Sequence, residues 1–138
     1  MLQLSKILLT IIFFGIGVIH FYWAFGGLWA KRLAIPTTQE GAPLFDPGLG
    51  SCVIIGLFFS VLLLINQKEL LRSLPLLYER VLWAIIALVF LARAIGDFQY
   101  VGFFKYVKHT TFAYLDNLYY TPLCLLIFAL IVVKLAVR

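Results

Sequence analysis

The chain predicts an all-α fold, a four-helix transmembrane bundle forming a single integral membrane domain over residues 1–138. Three observations carry this expectation. The residues are 64% hydrophobic and only 12% charged, and a mean hydropathy of +1.05 is foreign to soluble domains. The apolar residues gather into four runs whose lengths match or approach a bilayer crossing as helix, roughly 20 residues at about 1.5 Å each. Those runs also lack the apolar-polar alternation of a barrel strand, so each segment must satisfy its own backbone groups.

The first run, residues 7–30, follows Lys6 in the manner of a secretory signal, but it is too long for a signal core and has no small-x-small cleavage site. It is expected to remain as a span. Near its end Gly26 and Gly27, flanked by Trp23 and Trp29, read as a helix-packing notch with interfacial anchors, while Gly15, Gly17 and Gly56 read as further packing positions. The second run, 49–65, is the shortest and can borrow Pro47 and Gly48 for its first turn.

The third run, expected over 81–104, carries the charge. Twelve uncharged residues, Val81 to Ala92, separate Arg80 from Arg93, about 18 Å of helix against a hydrocarbon core of about 30 Å. A span here takes Arg93 and Asp97 into the bilayer. A rival frame from Leu74 to Gly96 sets Arg93 nearer a boundary, and the apolar, aromatic tail from Phe98 to Phe104 favours the deeper one. The fourth run is expected over 118–137, with Asp116, or Thr121 followed by Pro122, as its cap.

Four spans place both termini on one side. Six basic residues fall there (Lys6, Lys68, Arg72, Arg80, Lys134, Arg138) and four opposite (Lys31, Arg32, Lys105, Lys108), so the positive-inside rule makes the termini cytoplasmic. The net charge of +5 is thereby assigned to lipid headgroups, and no nucleic-acid partner is expected. The loop from Lys31 to Gly48, with three Pro and two Gly, is expected to be non-helical, and the segment 105–117 mixes bases and aromatics as an interfacial strip.

An ionisable group at membrane depth costs at least about 2.5–3.5 kcal/mol, so such groups face the bundle interior and mark a site or a structural pairing. His20 and Arg93 lie about 20 and 18 Å from the cytoplasmic ends of their spans, and Asp97 lies four residues beyond Arg93 on the same face. An acid C-terminal to its base is the poorer helical order, which leaves Arg93 open to His20, Glu40 or a ligand. His20, Trp23, Arg93, Asp97 and Tyr100 are therefore the ligand-binding candidates. The plainer alternatives are an Arg93–Asp97 pair that pins two helices and a His20 that bonds across the bundle. With His109 as the second of two histidines and no cysteine cluster, neither a metal nor a cofactor is expected. Cys52 and Cys124 read as small packed residues, and their spacing leaves a pairing open. No Gly-x-Ser-x-Gly elbow, phosphate loop or dinucleotide fingerprint is present.

Two stretches, 17–29 (GVIHFYWAFGGLW) and 93–105 (RAIGDFQYVGFFK), together with Thr111-Phe112-Ala113, Asp116 and Tyr120-Thr121-Pro122-Leu123-Cys124, resemble a bacterial family catalogued as domain of unknown function 3995. The resemblance covers almost the whole chain. It implies a small multi-pass protein of the bacterial cytoplasmic membrane and adds Gly96, Lys105, Asp116 and Pro122 to His20, Trp23, Gly26, Gly27, Arg93 and Asp97 as family-motif positions. Lys105 and Asp116 thus join the ligand-binding candidates and Gly96 the packing glycines. No activity comes with it.

The leading functional expectation is a site that binds or processes a small amphiphile or lipid in the outer half of the bilayer, with Arg93 on its headgroup. The alternatives are a scaffold whose buried Arg-Asp pair specifies packing, and a small transporter subunit that works as a homo-oligomer. Membrane lipids are the expected partners of all three.

Overall fold

The computed structural model describes residues 2–67 and 75–137. Lys68, Arg72 and Arg138 of the charge count, and Leu74 of the rival third frame, lie outside the described residues. Four long helices make an all-α chain: α1 (Leu2–Ala24), α2 (Leu49–Gln67), α3 (Leu76–Ile95) and α4 (Thr111–Ala136), with a short 3-10 turn at Lys31–Ala34. Among the described residues three of these, α1, α2 and α4, are long and apolar enough to cross a membrane. Helix α3 has the length, about 30 Å, but carries Glu79, Arg80 and Arg93.

Helix ends follow from local chemistry, and several differ from expectation. Helix α1 stops at Ala24 rather than at residue 30, because Gly26 takes a left-handed φ of +91°. The Gly26 N–H then donates to the Trp23 carbonyl and the Gly27 N–H to the Tyr22 carbonyl, the paired bonds of a Schellman cap. Gly26 is a helix stop, with nothing within 4 Å of a Cβ built there, and Gly27 packs on the Tyr22 ring of its own helix. Helix α3 ends at Ile95, close to the rival frame, so residues 96–104 do not continue a span. Helix α4 begins seven residues before the expected 118: the Thr110 hydroxyl caps it by accepting from the Ala113 N–H, so Asp116 is an interior residue and not the cap.

The chain divides into two compact units. The first comprises Met1–Gly27, Pro47–Ile85 and Leu130–Arg138. Here α1 buries Ser5, Leu9, Phe13 and Gly17, one face at helical spacing, against Cys52, Gly56, Phe59 and Leu62 of α2. Gly17 and Gly56 let the backbones approach: a Cβ on Gly17 would lie 3.8 Å from the Gly56 carbonyl, and one on Gly56 would press the Phe21 ring at 3.0 Å. The opposite stripe of α1, Leu4, Ile7, Ile11, Phe14 and Val18, is 50–62% exposed. A helix apolar on both faces suits lipid on one side and protein on the other.

At one end of this unit lies a buried polar cluster. Asn66 donates to the Lys6 carbonyl (2.9 Å) and the Thr10 hydroxyl (3.0 Å) and accepts from Lys134 Nζ (2.8 Å), while that ammonium sits 3.6 Å over the Trp83 ring. Lys134 is only 4% exposed. It is a packed cation held by an amide and a π-face, not the headgroup-facing flank the charge count assumed.

The second unit comprises Leu28–Asp46 and Ile86–Ala129. It holds the C-terminal half of α3, the loop 96–110, most of α4 and the Pro-rich loop, whose Thr37 and Pro43 meet in an isolated antiparallel bridge.

Candidate functional site

The site grows from the way α3 ends. Gly96 has φ +95°, and its N–H donates to the Ala92 carbonyl, a single-bond left-handed cap. The chain then doubles back so closely that a Cβ on Gly96 would fall 1.7 Å from the Val101 carbonyl oxygen, and one on Gly102 (φ +88°) 2.4 Å from the Gly96 Cα. Both positions demand glycine for conformation and for space. Gly96, expected to pack helices, instead makes this crossing of the backbone on itself.

Asp97 holds the inside of the turn. Its Oδ1 accepts the N–H groups of Gln99 (2.9 Å), Tyr100 (2.7 Å) and Val101 (2.9 Å). Burial pushes this carboxyl up, but the donors from Val101, Tyr100 and Gln99 outweigh it and hold the group below its ordinary value. Asp97 is thus an exposed loop-shaping residue and not the helical partner of Arg93 that the four-residue spacing suggested. Tyr100 accepts from the Gln99 amide through its hydroxyl, at 3.3 Å.

Arg93 finds its acid on α4. Asp116 is fully buried, and its Oδ1 accepts from Arg93 Nη2 at 2.9 Å. Its Oδ2 accepts from Lys105 Nζ at 2.8 Å and from the Gly102 N–H at 2.9 Å. Lys105, 1% exposed, spends its remaining donors on the Gly102 carbonyl (2.8 Å) and the Asn117 side-chain oxygen. One carboxylate therefore ties the last turn of α3, the crossing loop and α4 together. The two cations against one anion leave the cluster with a net positive charge. Arg93, in the last turn of α3, also faces the negative end of that helix's dipole.

Helix α4 is locally widened here. Residues Asp116–Tyr120 form a π turn, closed by the Thr121 N–H on the Asp116 carbonyl. Such single-turn insertions re-aim side chains and recur at functional sites. Two polar atoms of the neighbourhood lack a hydrogen-bond partner among the described residues: Arg93 Nη1 and the Thr121 hydroxyl, both buried.

The structure thus brings together Arg93, Lys105 and Asp116 of the expected residues. His20 and Trp23 belong to the first unit, where His20 Nδ1 donates to the Ile16 carbonyl (2.8 Å) and the imidazole lies 5.0 Å from the Trp23 ring and 6.3 Å from that of Phe59. Asn117, Gly102 and Thr121 were not foreseen as members. Glycines at 96 and 102 bracketing an acid were the available signal for the loop. Both cysteines are free thiols. Two clefts of the second unit, of about 290 and 400 Å³, are lined by loop residues including Arg32, Gln39, Glu40, His109 and Thr110 rather than by the Asp116 cluster.

Comparison with known proteins yields one finding. The family model described as "Protein of unknown function (DUF3995)" matches residues 13–131, which include every residue of the Asp116 cluster. No curated protein and no solved structure matches the chain.

Proposed function

This chain belongs to the DUF3995 family of proteins of unknown function, and we propose that it binds a small amphiphile whose anionic or polar headgroup is held by Arg93. The supporting observation is the division of labour within the ion cluster. Asp116 and Lys105 are saturated: the carboxylate accepts three donors and the ammonium meets three acceptors. They hold the loop in place. Arg93 is different, since Asp116 fixes Nη2 while Nη1 is a buried donor without a partner among the described residues and the side chain keeps 34% of its surface exposed. A pre-oriented guanidinium with an unused edge, in a cluster of net positive charge, suits a phosphate or carboxylate oxygen. An unmet buried donor costs about 1–3 kcal/mol, which a ligand oxygen would return.

In this reading α3 is the fourth crossing. Its charges lie near its ends, Glu79 and Arg80 in the first turns and Arg93 in the last, so the uncharged stretch between them meets the lipid.

The test is thermal unfolding of the purified protein in dodecyl maltoside with added dodecyl phosphate. The parent should gain several degrees, and a folded Arg93→Ala variant should gain none. Equal stabilisation of both removes Arg93 from recognition and favours the second reading, a purely structural pin, which the saturation of Lys105 supports.

A further inference from the structure

Residues 96–107 hold three phenylalanines, two tyrosines and two valines, yet they are not helical. Irregular backbone is tolerated at membrane depth only where its polar groups are satisfied by protein. This loop meets that condition for most of its N–H groups. The N–H groups of Gln99, Tyr100 and Val101 go to Asp97, and that of Gly102 goes to Asp116. Those of Asp97, Phe103, Tyr106 and Val107 go to the carbonyls of Val101, Ala94, Phe98 and Gln99 at 2.9–3.2 Å. Even the Gly102 carbonyl is met, by the Lys105 ammonium.

The same turn pushes its rings outward. Phe98 and Phe104 are each 65% exposed, Phe103 46% and Tyr106 76%. The Phe98 and Phe104 rings lie 6.5 Å apart in one patch. Phe98 holds a left-handed φ of +63°, a conformation that costs any bulky L-residue energy and that here serves to present an apolar ring outward. In water that arrangement gains nothing, whereas in lipid it gains the transfer of the rings.

We propose that the loop 96–107 is a membrane-embedded loop, with Phe98, Phe103, Phe104 and Tyr106 seated among lipid at the boundary between headgroups and acyl chains. Its partner is the bilayer itself. Asp97, within the turn itself, and the buried Asp116 make this feasible by supplying the acceptors that water cannot supply there.

The test uses a background in which Cys52 and Cys124 are replaced by Ala, reconstituted in phosphatidylcholine vesicles containing a minority of phosphatidylglycerol. An environment-sensitive NBD fluorophore is attached at Phe104→Cys, at Tyr106→Cys, and at Lys108→Cys as the aqueous reference; all three positions are exposed, so labelling leaves the packing intact. Labels at 104 and 106 should emit to the blue of the label at 108, and nitroxide lipids should quench them roughly threefold more strongly than iodide does, with the reverse at 108. Quenching by iodide at 104 and 106 as strong as at 108 overturns the proposal. Shielding of both positions from iodide and nitroxide alike also overturns it, in favour of a contact between copies of the chain. If either single variant fails to fold, the other, or Phe103→Cys, decides by the same criterion.

Discussion

Replacing Asp116 with Ala strands three donors at once: Arg93 Nη2, Lys105 Nζ and the Gly102 N–H. The Arg93 contribution is the smaller of the two charged ones, because 34% of its side chain remains exposed and the guanidinium can turn to solvent or headgroups. Lys105 has no such escape at 1% exposure. Removing one partner of a buried ion pair costs about 3–5 kcal/mol, most of it the uncompensated charge left behind. For a chain of this size each kcal/mol shifts the melting temperature by roughly 3–5 °C, so Asp116→Ala should melt about 10–20 °C below the parent. The assay is thermal unfolding in mild detergent followed with a thiol-reactive dye, for which Cys52, 2% exposed, is a reporter of opening. Asp116→Leu combined with Lys105→Met removes both buried charges and should recover most of the loss, leaving the Gly102 N–H and the part-exposed Arg93 guanidinium as the residual cost. A single variant that melts within about 2 °C of the parent, or a double variant no better than the single, refutes the assignment of Asp116 as the centre of the cluster.

Two further expectations concern the loop. Gly96→Ala should abolish the native loop, since its Cβ would meet the Val101 carbonyl at 1.7 Å on a left-handed backbone, whereas Gly15→Ala, with nothing within 4 Å, should stabilise α1 by about 0.5–1 kcal/mol; parallel melts of the two variants check both. Asp97 has a folded-state value below its ordinary 3.8, so its stabilisation of the loop is fully present above that value and is lost as pH falls through the lower folded one. The amide resonances of Gln99, Tyr100 and Val101 should therefore hold steady from neutral pH down to about 4, and a titration midpoint above the ordinary carboxyl value contradicts the three-donor geometry.

The fold class and the membrane character were legible because they rest on composition and run length, which are properties of the chain itself. Boundaries were less so. The stretch from Phe98 to Phe104 reads as a continuation of helix because its side chains are apolar, but Gly96 and Gly102 govern its backbone, and their left-handed φ values outweigh hydropathy. The same competition misplaced the end of α1, where Gly26-Gly27 has the look of a packing notch and the geometry of a Schellman cap. At the site, Arg93 was found from its isolation among apolar residues. Its partner was assigned by the shortest sequence path, Asp97, when the actual acid lies 23 residues away on another helix. Nothing local distinguishes the two acids; only the fold shows that the N–H groups of residues 99–101 have already claimed Asp97. Lys134 illustrates the same limit in the first unit. A lysine near a chain end reads as a flank, and its burial over Trp83 depends on a contact 51 positions away in number.

The central claim, that Arg93 recognises an anionic amphiphile, is most directly tested by native mass spectrometry of the protein released from mild detergent, comparing the parent with an Arg93→Ala variant whose folding has been verified by its melting curve. The account predicts a defined lipid-like mass on the parent that is absent from the variant. A bare parent, or an adduct retained equally by both, contradicts it and leaves the Arg93–Asp116–Lys105 cluster as a structural pin alone.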